Sequence, residues 1–229
     1  MKVIAIIPAR GGSKRIPRKN IKKFLGRPII EYSIDVAIKS GIFDEIMVST
    51  DDMEIATVAK KSGAKVPFYR SEKNSSDTAM TVAVLEEVLQ EYKNIGREFD
   101  FVCCIYPTAP FITQSRLRDA YSKILKTKAD AVLPVMKFSY PIQRALKNEN
   151  GYVKMFWPDN YNSRSQDLEP AYQDCGQFYF LKTKSILEQK ILYPKLTVPI
   201  IVSESEAQDI DNDGDWKIAE MKYRILHNL

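Results

Sequence analysis

Val3-Ile4-Ala5-Ile6-Ile7-Pro8-Ala9-Arg10-Gly11-Gly12-Ser13-Lys14-Arg15-Ile16-Pro17-Arg18-Lys19-Asn20 passes directly from an apolar segment into a basic, glycine-bearing loop. A short, continuous apolar run closed by proline reads as a strand buried on both faces, as parallel sheets require. Gly11-Gly12 removes side chains from the loop, so backbone N–H groups can approach an anion closely. Ser13 adds a hydroxyl, and Arg10, Lys14 and Lys19 add cationic donors. Neither G-x-x-x-x-G-K-[ST] nor G-x-G-x-x-G occurs, which disfavours a P-loop ATPase and a NAD dehydrogenase.

Further apolar runs lie at 46–49, 101–105 and 131–135, separated by amphipathic stretches of helical length. Pro28 suits a first helical turn, and Gly41 a stop. Asp51 or Asp52 caps a second helix through Lys61, ended by Gly63. A third helix covers about 81–92, and a fourth follows the Thr113 cap to about 126. This alternation predicts an α/β fold with an open, doubly wound, mostly parallel sheet. Ligands of such sheets sit beyond the carboxyl ends of the strands, here the loops after Ile7, Ser49 and Ile105.

Between 138 and 170 the helical period is lost. Turn signals appear at Asn148-Glu149-Asn150-Gly151 and Pro158-Asp159-Asn160, with Tyr140, Tyr152, Phe156, Trp157 and Tyr161 among them. We read 1–229 as a single domain and 138–170 as an extended insertion whose aromatics form a subunit interface rather than a satellite core. A strand is expected at 176–181, a short helix at 184–190, a strand at 196–202 and a helix from Asp213 onward.

The 229 residues are 45% hydrophobic and 28% charged, an ordinary globular composition. No run approaches the roughly 20 apolar residues that cross a bilayer. The 3 cysteines, Cys103, Cys104 and Cys175, do not suggest a disulfide framework, and a reducing cytoplasm is expected. The single histidine, His227, lies at the chain's end. A Ser-His-Asp triad, a Cys-His pair and a His-ligated zinc site are thereby disfavoured. The net charge of +5 is concentrated in Arg10, Lys14, Arg15, Arg18, Lys19, Lys22 and Lys23, with no acidic residue between 10 and 23. Such a local cluster suits a phosphate pocket better than the longer stripe that nucleic acid needs.

A second constellation is Gln208-Asp209-Ile210-Asp211-Asn212-Asp213-Gly214-Asp215. In an extended Asp-x-Asp both carboxylates point to one side, as shared ligation of Mg²⁺ requires. The run matches a calcium loop only loosely and lacks its closing Glu. Asp213 and Asp215 read as helix cap and first turn. A hard divalent metal beside a basic glycine loop is equipment for a nucleoside triphosphate.

Ile7-Pro8-Ala9-Arg10-Gly11-Gly12-Ser13-Lys14, followed by Pro17-Arg18-Lys19-Asn20-Ile21, resembles the signature of the acylneuraminate cytidylyltransferases. Val48-Ser49-Thr50-Asp51, Tyr106-Pro107-Thr108-Ala109-Pro110 and Asp209-Ile210-Asp211 follow in the same order. The resemblance spans essentially the whole chain. It implies a Rossmann-like nucleotidyltransferase fold, CTP as substrate, Mg²⁺ as cofactor and a homodimer. It assigns Ala9, Arg10, Gly11, Gly12, Ser13, Lys14, Lys19 and Asn20 to the triphosphate end of CTP. Arg70, Ala79 and Thr81 would line the cytidine pocket, and Asp209 and Asp211 would bind the metal. Arg10 and Lys14 would act with those carboxylates in catalysis.

Arg15 stands where sialic acid enzymes of the family typically have Gly. Tyr106 stands where they have Gln, and no Arg follows Pro110. The segments Asn162-Ser163-Arg164-Ser165-Gln166-Asp167-Leu168 and Tyr172-Gln173-Asp174-Cys175-Gly176-Gln177-Phe178-Tyr179 resemble the pseudaminic acid branch. On that resemblance the sugar contacts would be Tyr106, Arg164, Gln166, Asp167, Gln177 and Tyr179, in a pocket completed across a dimer. The rivals within the class take sialic acid, legionaminic acid or 3-deoxy-octulosonate. Those outside it are a basic nucleic-acid-binding module and a metal-dependent glycosyltransferase; the loop at 10–20 argues against both.

Overall fold

The computed structural model describes all residues from Met1 to Leu229. Its first strand, β1 (Val3–Pro8), leads into the basic loop. The hairpin of β2 (Lys23–Phe24) and β3 (Arg27–Pro28) closes that loop. Helix α1 (Ile29–Ser40) follows, ended by Gly41 in the left-handed region at φ 68°. Pro28 stands just outside the helix, as its cap residue, rather than in the first turn. Next come β4 (Glu45–Ser49), α2 (Met53–Lys61), α3 (Glu72–Ser75) and α4 (Thr81–Asn94). Asp52 rather than Asp51 caps α2, its carboxylate accepting from the N–H groups of Glu54 and Ile55. Strand β5 (Phe101–Ile105) precedes α5 (Gln114–Lys126), whose first turn bonds to the Thr113 hydroxyl.

The second half contains β6 (Ala131–Lys137), β7 (Leu146–Glu149), β8 (Tyr152–Met155), β9 (Tyr172–Asp174) and β10 (Phe178–Lys182). The chain ends with α6 (Thr183–Gln189), β11 (Thr197–Val202) and α7 (Asp213–His227). The main sheet has the order β11-β6-β10-β5-β1-β4, with β9 also on β6. β1, β4, β5, β6 and β11 share one direction, while β9 and β10 run against them. The sheet is therefore mixed. A return strand at 178–182 reads as the same apolar run whichever way it points, so sequence alone does not expose the reversal.

Alternation along each strand feeds a core on each face. Val3, Ala5 and Ile7 pack with α1, α2 and α5, whereas Ile4 and Ile6 pack with α4. β4 adds to one side of β1 and β5 to the other, so strand order reverses at β1 and a crevice opens at its carboxyl end.

A third core brings the chain's two ends together. Ile16 of the basic loop, Phe24, Ile29, Phe111, Ile210 and Trp216 are buried against one another. Phe24 meets Trp216 edge-on with ring centroids 5.7 Å apart. Burying Ile210 turns its neighbours Asp209 and Asp211 toward the opposite side, into the crevice.

The 138–170 insertion carries the β7–β8 hairpin, whose Asn150-Gly151 turn has both residues at positive φ, the geometry that favours Asn-Gly in two-residue hairpins. Tyr140, Tyr152, Phe156, Trp157 and Tyr161 are exposed rather than gathered into a satellite core. No helix is long and apolar enough to cross a membrane.

Candidate active site

A cleft of about 600 Å³ opens at the carboxyl ends of β1 and β5. Its walls combine Arg10, Ser13, Lys14, Arg15, Lys19 and Asn20 with Asp209 and Asp211. Arg70, Ala79, Thr81 and Tyr106 also line it. Residues far apart in sequence thus converge at the place where a doubly wound sheet binds its ligands.

The basic loop is held by protein acids. Arg10 donates to Asp77 at 2.6 Å, and Lys14 pairs with the same carboxylate. Arg15 donates to Asp211 at 2.7 Å. Lys22 pairs with Asp213 at 2.9 Å. Mutual repulsion along the loop is offset by carboxylates from two distant segments.

Arg18 adopts left-handed backbone geometry at φ 56°. It donates to Asp52 at 2.5 and 2.9 Å and to Glu54 at 2.5 Å. It therefore fastens the loop to α2 and lies outside the cleft wall. The Arg18 hydrogen bonds hold the Asp52 carboxyl down to about 2, against the opposing effect of desolvation. Gly11 is needed at this junction, because a Cβ there would come within 2.8 Å of the Asp52 carboxylate. Gly12 has open space around it, and Ala9 is fully buried.

Lys19 donates to the Ile210 carbonyl at 2.7 Å and lies 4.0 Å from Asp211. Burial lowers its pKa, with Asp211 and Asp209 acting in the opposite sense. Asn20 is buried and donates to the Arg10 carbonyl at 2.9 Å, shaping the loop from beneath. Arg70 is buried too, its guanidinium bonded to the Ser49 hydroxyl at 3.0 Å and to the Ser49 carbonyl. Burial brings its pKa down to about 10.

Asp209 and Asp211 face the cleft together. Asp209 keeps an exposed surface, yet desolvation by the surrounding protein raises its carboxyl pKa, and the Asp211 charge adds to the effect. This pairing of anions favours a cation between them. The backbone N–H of Asp211 donates to Asp215 at 2.9 Å. The cap of α7 is Asn212, not Asp213; Asp215 completes the capping box. Two carboxylates in an oxygen-rich cleft fit a hard divalent cation, which draws its remaining ligands from water and substrate phosphate. No group of three or more His, Cys, Asp or Glu side chains is assembled to hold a metal by itself.

Not every residue expected at the site reaches the cleft. Gln177 and Tyr179 are buried behind Tyr106. The Gln177 carbonyl accepts from the Tyr106 N–H at 2.9 Å, and the Tyr179 ring lies 5.5 Å from that of Tyr106. Arg164, Gln166 and Asp167 belong to the insertion and line no part of this cleft; Gln166 borders a separate groove with Phe138 and Pro170. Sequence reading missed Asp77, together with Asn74 and Ser76 from the same cleft-lining segment. An Asp in a polar loop carries no signal of its eventual partners.

The family model described as cytidylyltransferase matches residues 4–191. A pseudaminic acid cytidylyltransferase of Campylobacter jejuni is 44% identical over 228 residues, covering 99% of this chain and 98% of that protein. A CMP-N,N'-diacetyllegionaminic acid synthase of Legionella pneumophila is 35% identical, covering 96% of this chain and 95% of that protein. The solved structure of a CMP:2-keto-3-deoxy-manno-octonic acid synthetase complexed with CTP superposes with a TM-score of 0.72 at 16% identity, over 100% of both chains. It shares the fold. With its mixed sheet, its basic loop and its cleft at the carboxyl edge, this chain belongs to the cytidylyltransferase family.

Proposed function

We propose that the chain transfers CMP from CTP to the anomeric hydroxyl of pseudaminic acid, releasing pyrophosphate and yielding an activated sugar for surface glycans or flagellin glycosylation. The observation carrying this reading is the meeting of Arg10, Lys14 and Lys19 with Asp209 and Asp211 in one cleft. The choice of sugar rests on the 44% identity to the Campylobacter jejuni enzyme, against 35% to the legionaminic acid synthase.

The reaction is an in-line displacement. The sugar's anomeric oxygen attacks the α-phosphorus of CTP, the bond from that phosphorus to the bridging oxygen breaks, and the hydroxyl proton passes to solvent. Arg10 and Lys14 exchange Asp77 for the triphosphate and offset the charge growing on the leaving pyrophosphate. Lys19 and Asn20 keep the loop in place, and Arg70, Ala79 and Thr81 receive the nucleoside end. Asp209 and Asp211 would hold Mg²⁺, which supplies Lewis acidity to the attacking hydroxyl and the phosphate oxygens.

The working form is a homodimer in the cytoplasm. The exposed aromatics of the insertion supply an apolar contact face. Arg164, Gln166 and Asp167, which do not line the cleft of their own chain, would reach a partner's acceptor pocket. The 3 free, buried cysteines suit a reducing compartment.

Pyrophosphate release from CTP and Mg²⁺ tests the reading, with pseudaminic, N-acetylneuraminic and legionaminic acids and 3-deoxy-octulosonate as separate acceptors. Turnover with pseudaminic acid alone is expected. Turnover with another acceptor overturns the sugar assignment, and release with none overturns the reaction. Asp211→Ala should keep the fold and lose turnover by at least about a hundredfold, measured as kcat. Near-wild-type turnover would sink the metal scheme.

A further inference from the structure

Asp174, at the end of β9, lies outside the cleft, yet its carboxylate gathers donors from the two structures that support the cleft's acidic and aromatic walls. One oxygen accepts from the Gly176 N–H at 2.9 Å. The other accepts from the hydroxyls of both Tyr179 and Tyr193. Burial raises the pKa of both phenols, which keeps them protonated as donors. Three donors converging on one side chain match an acceptor-only group such as a carboxylate.

Gly176 occupies the left-handed region at φ +60°, and a Cβ on it would lie 3.4 Å from the Asp209 carboxyl. The turn that Asp174 fastens thus borders one proposed metal ligand, with a gap of about one methyl group between them. On the other side, Tyr179 presents its ring to Tyr106, centroids 5.5 Å apart at 63°, and Tyr106 forms cleft wall. Tyr193 packs edge-on against the far side of Tyr179, centroids 5.7 Å apart. Asp209 and Tyr106 come from segments after β11 and β5; Asp174 reaches Tyr106 through Tyr179, and the Gly176 turn it fastens lies beside Asp209.

We propose that Asp174 is a positioning residue for cytidylyl transfer, setting Asp209 through the Gly176 turn and Tyr106 through Tyr179, with Tyr193 completing the anchor. This rests on the reaction proposed above. Groups behind metal ligands matter at this level: losing one typically costs about 10- to 100-fold in metal affinity or activity. Displacing a reacting centre by about 1 Å can cost about a hundredfold in rate. Asn at this position keeps the shape but turns an amide NH₂ toward donors.

The test compares full-length wild type, Asp174→Asn and Tyr193→Phe by Mn²⁺ titration followed by electron paramagnetic resonance, by kcat and KM for CTP, and by thermal midpoint. Asp174→Asn should weaken Mn²⁺ binding and lower kcat by about tenfold each. Its KM for CTP should stay within about twofold, because Arg10, Lys14 and Lys19 are untouched. Tyr193→Phe should move the same two quantities by about threefold, the loss of one hydrogen bond. A fall in thermal midpoint with Mn²⁺ affinity and kcat unchanged would mean a purely structural role and overturn the proposal. If Asp174→Asn does not fold, the half-exposed Tyr193→Phe decides in the same terms. Should wild type release no pyrophosphate with any acidic sugar, the reaction fails while the Mn²⁺ comparison still judges the anchor.

Discussion

Asp209 lies between the Gly176 turn and a second carboxylate at Asp211, and the cleft partly strips its water. Its raised pKa has a definite sign in stability. Ionised Asp209 costs the folded state free energy at neutral pH, and that cost disappears as pH falls through the raised folded value. Removing the charge should therefore stabilise the chain while disabling the site. Asp209→Asn is expected to raise the urea midpoint at pH 7 and to abolish high-affinity Mn²⁺ binding. An unchanged or lowered midpoint would show that the carboxylate is not under electrostatic stress. Wild-type Mn²⁺ affinity should also fall on acidification at a higher pH than ordinary aspartate titration would give. Arg15 sits across from this pair, on Asp211, and must part from that oxygen if a cation is to take it.

At the scale of elements, the junction of the basic loop with α2 depends on one carboxylate with two duties. Asp52 caps the helix and accepts two of the three Arg18 hydrogen bonds. Its folded pKa of about 2 lies below the roughly 3.9 of an unfolded aspartate. The associated stability is present above about pH 4 and is lost as pH falls through about 2. Asn caps helices about as well as Asp, so Asp52→Asn isolates the Arg18 interaction. It should cost about 1–2 kcal/mol at pH 7, with that cost shrinking toward pH 2. Urea unfolding of both proteins at pH 7 and near pH 2.5 measures the difference. Equal losses at both pH values would assign the effect to packing.

At the scale of the whole molecule, the insertion presents a cluster of exposed aromatic side chains. Tyr152 is 75% exposed, Tyr161 73% and Trp157 45%, a density of aromatic surface characteristic of interfaces. Sedimentation should give a dimer at micromolar concentration. Tyr161→Asp together with Tyr152→Asp should convert it to monomer, because a charge buried in an apolar interface is strongly disfavoured. That monomer should still bind CTP, since the nucleotide cleft is built within one chain. Its turnover should collapse if Arg164, Gln166 and Asp167 serve the partner's acceptor pocket. Full turnover by a monomer would remove the insertion from the sugar site.

The local signals were legible because each is a short-range property. The apolar runs that became β1, β4, β5 and β6, the Thr113 cap, the Gly41 stop and the Asn150-Gly151 turn all depend on a few neighbouring residues. The basic loop and Asp209-Ile210-Asp211 could likewise be read in the sequence as two pieces of phosphate chemistry. Their meeting depended on Ile16 and Ile210 sharing one buried cluster, a long-range packing event. The same limit hid the reversed direction of β10, the Asp77 carboxylate on Arg10 and Lys14, and the role of Arg18 as a tie to α2. It also hid Gln177 and Tyr179 passing behind Tyr106 rather than into the cleft. The chain sequence by itself determined the elements and the chemical kinds of group available. Tertiary structure decided which groups became neighbours, because hydrophobic burial is non-directional and leaves ion pairs, strand direction and facing side chains to the packing of the whole.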